Sequence, residues 1–174
     1  MVVVVLVASM VLAGSVAIVK SLFPTITLSD KGANFIGNFE GLRLFPYLDG
    51  GGLPTIGYGH RIPNKQSYPN GITKQEALQF LKDDASTVIQ GLAGLRLILP
   101  LQHHQDAVIS LCFNIGMGAF RKSIIYSALE AKATDLYAWA AWTRDAKGVI
   151  ESGLVTRREA EMRLFIWGLY DAST

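Results

Sequence analysis

Leu44 to Leu48 and Thr55 to Tyr58 are short runs of strand-forming residues separated by the turn Asp49-Gly50-Gly51-Gly52. Three glycines behind an aspartate mark a tight reversal, so the two runs are predicted as strands of one hairpin. The return strand brings Thr55 alongside the strand that ends at Asp49. A carboxyl and a hydroxyl are thereby set to hold one water between them. Just upstream, Ser29 or Asp30 is a candidate N-cap, and Phe35, Ile36 and Phe39 repeat at helical spacing. Glu40 then falls in the last turn of that helix. Half-buried at the negative end of a helix, it is suited to carry the proton that a general acid needs.

The remainder reads as mostly helical. Thr73-x-x-Glu76 is a capping box opening an amphipathic helix through Ala77, Leu78, Leu81, Ala85, Val88 and Leu92. Lys82, Asp83 and Asp84 on that helix read as a solvated face. Pro100 breaks the chain before a second helical run from Gln102 to Asn114. At 174 residues, without internal repeat or low-complexity linker, one domain is expected. The expected class is α+β, with a small hairpin-sheet lobe, a larger helical lobe and a cleft between them.

Several chemistries are not suggested. A formal charge of +2 gives no footprint for nucleic acid. His103 and His104 are adjacent and leave a helix in different directions, and no Cys/His cluster has ligand spacing, so neither metal nor cofactor is expected. Gly116-x-Gly118 lacks the strand and third glycine of a nucleotide loop. Trp139, Trp142 and Trp167 read as core in preference to sugar platforms. Arg157 and Arg158 have Glu161 one turn away as a structural partner, and a contact with carboxylates of a substrate is the alternative. His60 reads as a group that orients a neighbouring carboxylate or backbone in preference to transferring a proton.

A carboxyl that can donate a proton, with a second carboxylate to assist at the sugar's opposite face, is what glycoside hydrolysis requires. Glu40-Gly41, Tyr47, Asp49, Gly52 and Thr55-Ile56-Gly57-Tyr58-Gly59-His60 together resemble the phage lysozymes of glycoside hydrolase family 24. The resemblance continues through Gln102-x-x-Gln105-Asp106-Ala107-Val108, Phe113-Asn114-Ile115-Gly116, Phe120 and Ser123. It closes on Trp142, Gly148, Gly153-Leu154, Arg157-Arg158, Glu161 and Leu164, a pattern similar to the lambdoid branch. It implies a muramidase used as an endolysin, cleaving the β-1,4 bond between N-acetylmuramic acid and N-acetylglucosamine. By matching position Glu40 is the acid, and Asp49 and Thr55 position the attacking water, with inversion at the anomeric carbon. Phe113, Asn114, Ser123 and Arg61 are the implied substrate contacts, and His60 and Tyr58 support the site. The catalytic domain would span residues 28–172. Rival readings are a lytic transglycosylase, which needs only Glu40, and a catalytically dead wall-binding protein.

Val2 to Val19 is an uninterrupted run of eighteen uncharged, largely apolar residues, at the lower bound for spanning a bilayer. It resembles the signal-anchor-release segment of some lambdoid endolysins. Residues 1–20 are therefore expected to hold a monomeric enzyme in the host's inner membrane and later release it to the periplasm, with a holin as a functional partner. Ser15-Val16-Ala17 also resembles a small-x-small cleavage site. Cys112 is the only cysteine. A disulfide switch at the site is excluded, since Asp49 stands where some release-type lysozymes place a cysteine.

Overall fold

The computed structural model describes residues 25–63, 66–95, 97–132, 136–144 and 147–172. The run Val2–Val19 lies outside them. Helix α1 spans Asp30–Glu40. Ser29, in extended backbone, is its N-cap, and its Oγ accepts from Gly32 N at 2.9 Å. The expected apolar face is realised, with Phe35 and Ile36 buried and Phe39 packed beside them.

Gly41 ends α1, and the chain enters a three-stranded antiparallel sheet of β1 (Arg43–Leu48), β2 (Pro54–Gly57) and β3 (His60–Arg61), in that order. The expected hairpin forms, with Tyr47 opposite Thr55 and Leu48 opposite Pro54. Between Arg43 and Tyr47 the pairing slips. Pro46 lies in that interval; it has no N–H to give and is tolerated because β1 is an edge strand. β2 stops one residue earlier than its composition predicts. Gly57 and Gly59 both adopt positive φ (68° and 92°), which turns the chain at Tyr58 and returns it as β3, a strand too short to leave a periodic signal.

Thr73 caps α2 (Lys74–Ala93) with both arms of the predicted box: Glu76 N donates to Thr73 Oγ1 at 3.2 Å, and Thr73 N donates to Glu76 Oε2 at 2.7 Å. At 20 residues α2 is about 30 Å long and packs against β2, α1 and the next long helix, joining the two lobes. That helix, α3 (Gln102–Ile115), is buried from Gln105 to Cys112. Around it lie α4 (Met117–Phe120), α5 (Ile124–Glu130), a 3-10 helix (Leu136–Trp142) and α6 (Ser152–Trp167). The α+β class and its two lobes are as expected.

The predicted solvated face of α2 is only partly so. Asp84 Oδ1 and Oδ2 each lie 3.0 Å from His60 Nδ1, and Lys82 Nζ pairs with Asp30 at the start of α1. Of the tryptophans, Trp139 is buried, Trp142 packs against the core and Trp167 is exposed.

Buried Asp106 on α3 fixes where α1 begins. Its Oδ1 accepts from Ser29 N at 2.9 Å and Gln102 Nε2 at 3.0 Å, and its Oδ2 accepts from Ser29 Oγ at 2.6 Å and Tyr170 OH at 2.7 Å. Gly32 admits this carboxylate: a Cβ there would stand 2.4 Å from Asp106 Cγ. The same acid thus ties down the start of the helix carrying Glu40 and the segment after α6.

Candidate active site

Glu40 is the last residue of α1 and opens on a cleft of about 610 Å³. The cleft is also lined by the N-cap residue Glu151 and the first turns of α6 as far as Arg157, with Asn114 from the end of α3. Glu40 does not stand alone at its helix end, as the local sequence suggests. Arg157 Nη1 donates to its Oε1 at 2.7 Å.

Arg157 is itself held from behind. It reaches Glu161 Oε1 through Nε at 3.2 Å and Ser110 O through Nη2 at 3.3 Å, and it lies over the Phe39 ring. Glu161 is fully buried, accepts from Ser110 Oγ at 2.7 Å, and also meets Arg158 through Nη2 at 3.1 Å and Nε at 3.0 Å. Burial, the largest influence, pushes the Glu161 carboxyl up against the pull of Arg158 and Arg157. Glu161 is thus held between two guanidiniums, and such pairing is what makes the burial of its carboxyl tolerable. Both arginines are nearly inaccessible, 3% and 2% exposed. The alternative of contacts with substrate carboxylates therefore fails for them.

On the sheet side, the Asp49 side chain folds over its own turn. Gly51 N and Leu53 N both donate to Oδ1 at 2.9 Å. The Leu53 N–H is the largest influence; with the Gly51 N–H and the charge of Arg61 it holds this exposed carboxyl below its ordinary range. Asp49 is thus an anionic acceptor, the state wanted for polarising a water. Thr55 is 2% exposed and donates its hydroxyl proton to Leu53 O at 2.9 Å, which leaves lone pairs for a water to donate to. Asp49 and Thr55 share the hairpin but do not line the cavity at Glu40.

The supporting residues divide. Tyr58 is buried against α1, where a Cβ on Gly37 would come within 2.9 Å of its ring. His60 stacks on Phe80 and faces Asp84, so it orients a carboxylate on α2 and not one in the cleft. Arg61 pairs across the sheet with Thr55 and acts on Asp49 through its charge. Asn114 is exposed on the cleft wall, whereas Phe113 packs against the core outside it. Ser123 does not line the cavity at Glu40. It is buried, and its hydroxyl caps α5, accepting from Tyr126 N at 3.1 Å and donating to Phe120 O at 2.6 Å. Arg157 is the residue missed beside the acid. Its signal was available: Arg157, Ala160, Glu161 and Leu164 form one helical stripe, so the charged pair shares the buried face.

Among the described residues no three His, Cys, Asp or Glu side chains converge as a metal site, and no helix is long and apolar enough to cross a membrane.

Comparison with known proteins agrees with this fold. The sequence model of the phage lysozyme family matches residues 37–161. An endolysin of Acyrthosiphon pisum secondary endosymbiont phage 1 is 35% identical over 144 residues, covering 79% of this chain and 97% of that protein. A SAR-endolysin of Bacteriophage PS119 is 28% identical over 151 residues, covering 83% and 85%. Among solved structures, the endolysin of Escherichia coli O157:H7 phage FAHEc1 superposes with a TM-score of 0.74 at 32% identity, covering 86% of this chain and 99% of that one. The muramidase domain of SpmX from Asticaccaulis excentricus superposes with a TM-score of 0.70 at 29% identity, covering 80% and 97%. The chain belongs to the phage lysozyme family.

Proposed function

We propose that this protein is an endolysin that hydrolyses the β-1,4 bond between N-acetylmuramic acid and N-acetylglucosamine in bacterial peptidoglycan, for lysis of the host cell. The observation that carries the reading is the division of labour between two carboxyls. Glu40 faces the cleft from a helix end, and Asp49 is held anionic by the N–H groups of its own turn. Glu40 is the general acid, protonating the leaving oxygen. Asp49 and Thr55 hold the water that attacks from the other face, and the anomeric centre inverts. Inversion needs a carboxyl separation of roughly 6.5–9.5 Å, enough for that water. Arg157 keeps Glu161 and Ser110 as partners whatever Glu40 does with its proton, so the acid works against a fixed wall.

Residues 28–172 form the catalytic domain in this reading, working as a monomer without cofactor, and residues 1–20 anchor it in the inner membrane. The kinship with a SAR-endolysin supports the anchor, as does the length of the apolar run. Release into the periplasm, timed by a holin, then gives access to the wall. The test is clearing of outer-membrane-stripped cells, with mass and proton NMR analysis of the first products. Reducing-end products of hydrolytic mass appearing as the α-anomer support the reading. Anhydro products would make the protein a transglycosylase, a first-formed β-anomer would replace the water by a covalent step, and no product at all would leave a wall-binding protein.

A further inference from the structure

Arg158 is 2% exposed, and its Nη2 lies 3.0 Å from Asn114 Oδ1. A guanidinium has only donors, so this contact admits one orientation of the Asn114 amide, with Oδ1 toward Arg158 and Nδ2 turned away from it. Asn114 is exposed on the wall of the cavity that also holds Glu40, and no hydrogen bond from its Nδ2 is found among the described residues. A free asparagine would offer the cleft either end of its amide. Held by a buried cation, this one offers a donor, and the ordering is done before substrate arrives.

We propose that Asn114 reads the acetamido carbonyl of a sugar near the scissile bond, and that Arg158 is the positioning residue that turns its N–H donors into the cleft. This rests on the muramidase reading and names what the site recognises. A de-N-acetylated sugar presents an ammonium at the same place, a group that can only donate, and two donors repel. Stem peptides also carry carbonyl groups. The acetamido is favoured because Asn114 shares its cavity with the acid that must sit at the glycosidic oxygen.

The test is initial rates of the full-length protein on glycan strands freed of stem peptides, either fully N-acetylated or de-N-acetylated. The wild type should prefer the acetylated strand. Asn114→Asp keeps an oxygen on Arg158 and turns an acceptor into the cleft. It should lower kcat/KM on acetylated strands about tenfold, mostly through KM, and raise relative activity on de-N-acetylated strands. The ratio between the two substrates cancels any effect of the new charge on the acid itself. Arg158→Lys, which keeps the charge for Glu161 but loses the fork, should weaken the preference in the same direction, with melting temperature checked alongside. Should that variant fail to fold, Asn114→Asp decides alone. An unchanged preference in Asn114→Asp overturns this inference while wild-type hydrolysis leaves the muramidase reading standing. A preference seen only on strands that keep their stems overturns it in favour of a peptide carbonyl. Wild-type protein that cleaves neither strand overturns both.

Discussion

Removing the Asp106 carboxylate should unfasten both ends of the catalytic domain at once. It is fully buried and accepts four hydrogen bonds: two from Ser29, one from Gln102 and one from Tyr170. A bond to a charged acceptor is worth about 1.5–3 kcal/mol, so simple addition for Asp106→Ala would give roughly 6–12 kcal/mol. That sum is too large. The variant no longer buries a charge, and donors at the edge of the cluster regain water. About 3–5 kcal/mol is the expected loss, as for breaking other buried charged networks. Ser29→Ala, which loses the α1 cap, should cost about 1 kcal/mol, and Tyr170→Phe about 1 kcal/mol. Urea unfolding followed by far-ultraviolet circular dichroism gives all three values. The Tyr170 hydroxyl supplies an independent sign. Burial first, then its bond to Asp106, pushes it from 10.0 up to about 12. A folded pKa above the unfolded one means the contribution is whole below pH 10.0 and is lost as pH rises through about 12. A tyrosinate absorbance titration should show this late step, and Tyr170→Phe should lack it. Loss of less than about 1 kcal/mol in Asp106→Ala would refute the idea that this carboxylate holds the two ends together.

Gly71→Ala should cost about 2 kcal/mol, because φ is +73° and the new Cβ would stand 2.6 Å from Leu44 O and 3.0 Å from the Phe45 ring; thermal unfolding measures it. Thr73→Ala should cost about 1 kcal/mol by removing half of the α2 cap. Hydrogen bonds from Thr73 hold the Glu76 carboxyl below its ordinary 4.5. The stability it contributes is therefore present above pH 4.5 and lost as pH falls through the depressed folded value. Melting curves of wild type and Glu76→Gln across that acid range should converge towards its lower end.

What could be read from the chain is what its neighbours decide. The Ser29 cap, the Thr73/Glu76 box and the Asp49–Gly52 turn each involve partners within a few residues, so their signals survive without a fold. The contacts that define the site do not. Arg157 meets Glu40 across 117 residues, and Tyr170 meets Asp106 across 64. Helix-end and burial arguments at Glu40 described its own helix and said nothing of α6. Asp84 read as solvated because no local rule anticipates that β3 brings His60 to it. Ser123 stood near residues of the cleft pattern, yet its position just before α5 made it a cap, and the cap rule applied to Ser123-x-x-Tyr126 would have favoured that role.

The account rests most heavily on Glu40 as the acid. Glu40→Gln keeps an oxygen for Arg157 Nη1 to donate to, so that hydrogen bond and the fold should persist, while the proton for the leaving oxygen is gone. Purified wild type and variant, matched by circular dichroism and melting temperature, should be compared for release of reducing ends from isolated peptidoglycan. A loss on the order of a hundredfold or more is predicted. Wild-type rates from a folded Glu40→Gln protein would contradict the assignment of Glu40 as the acid.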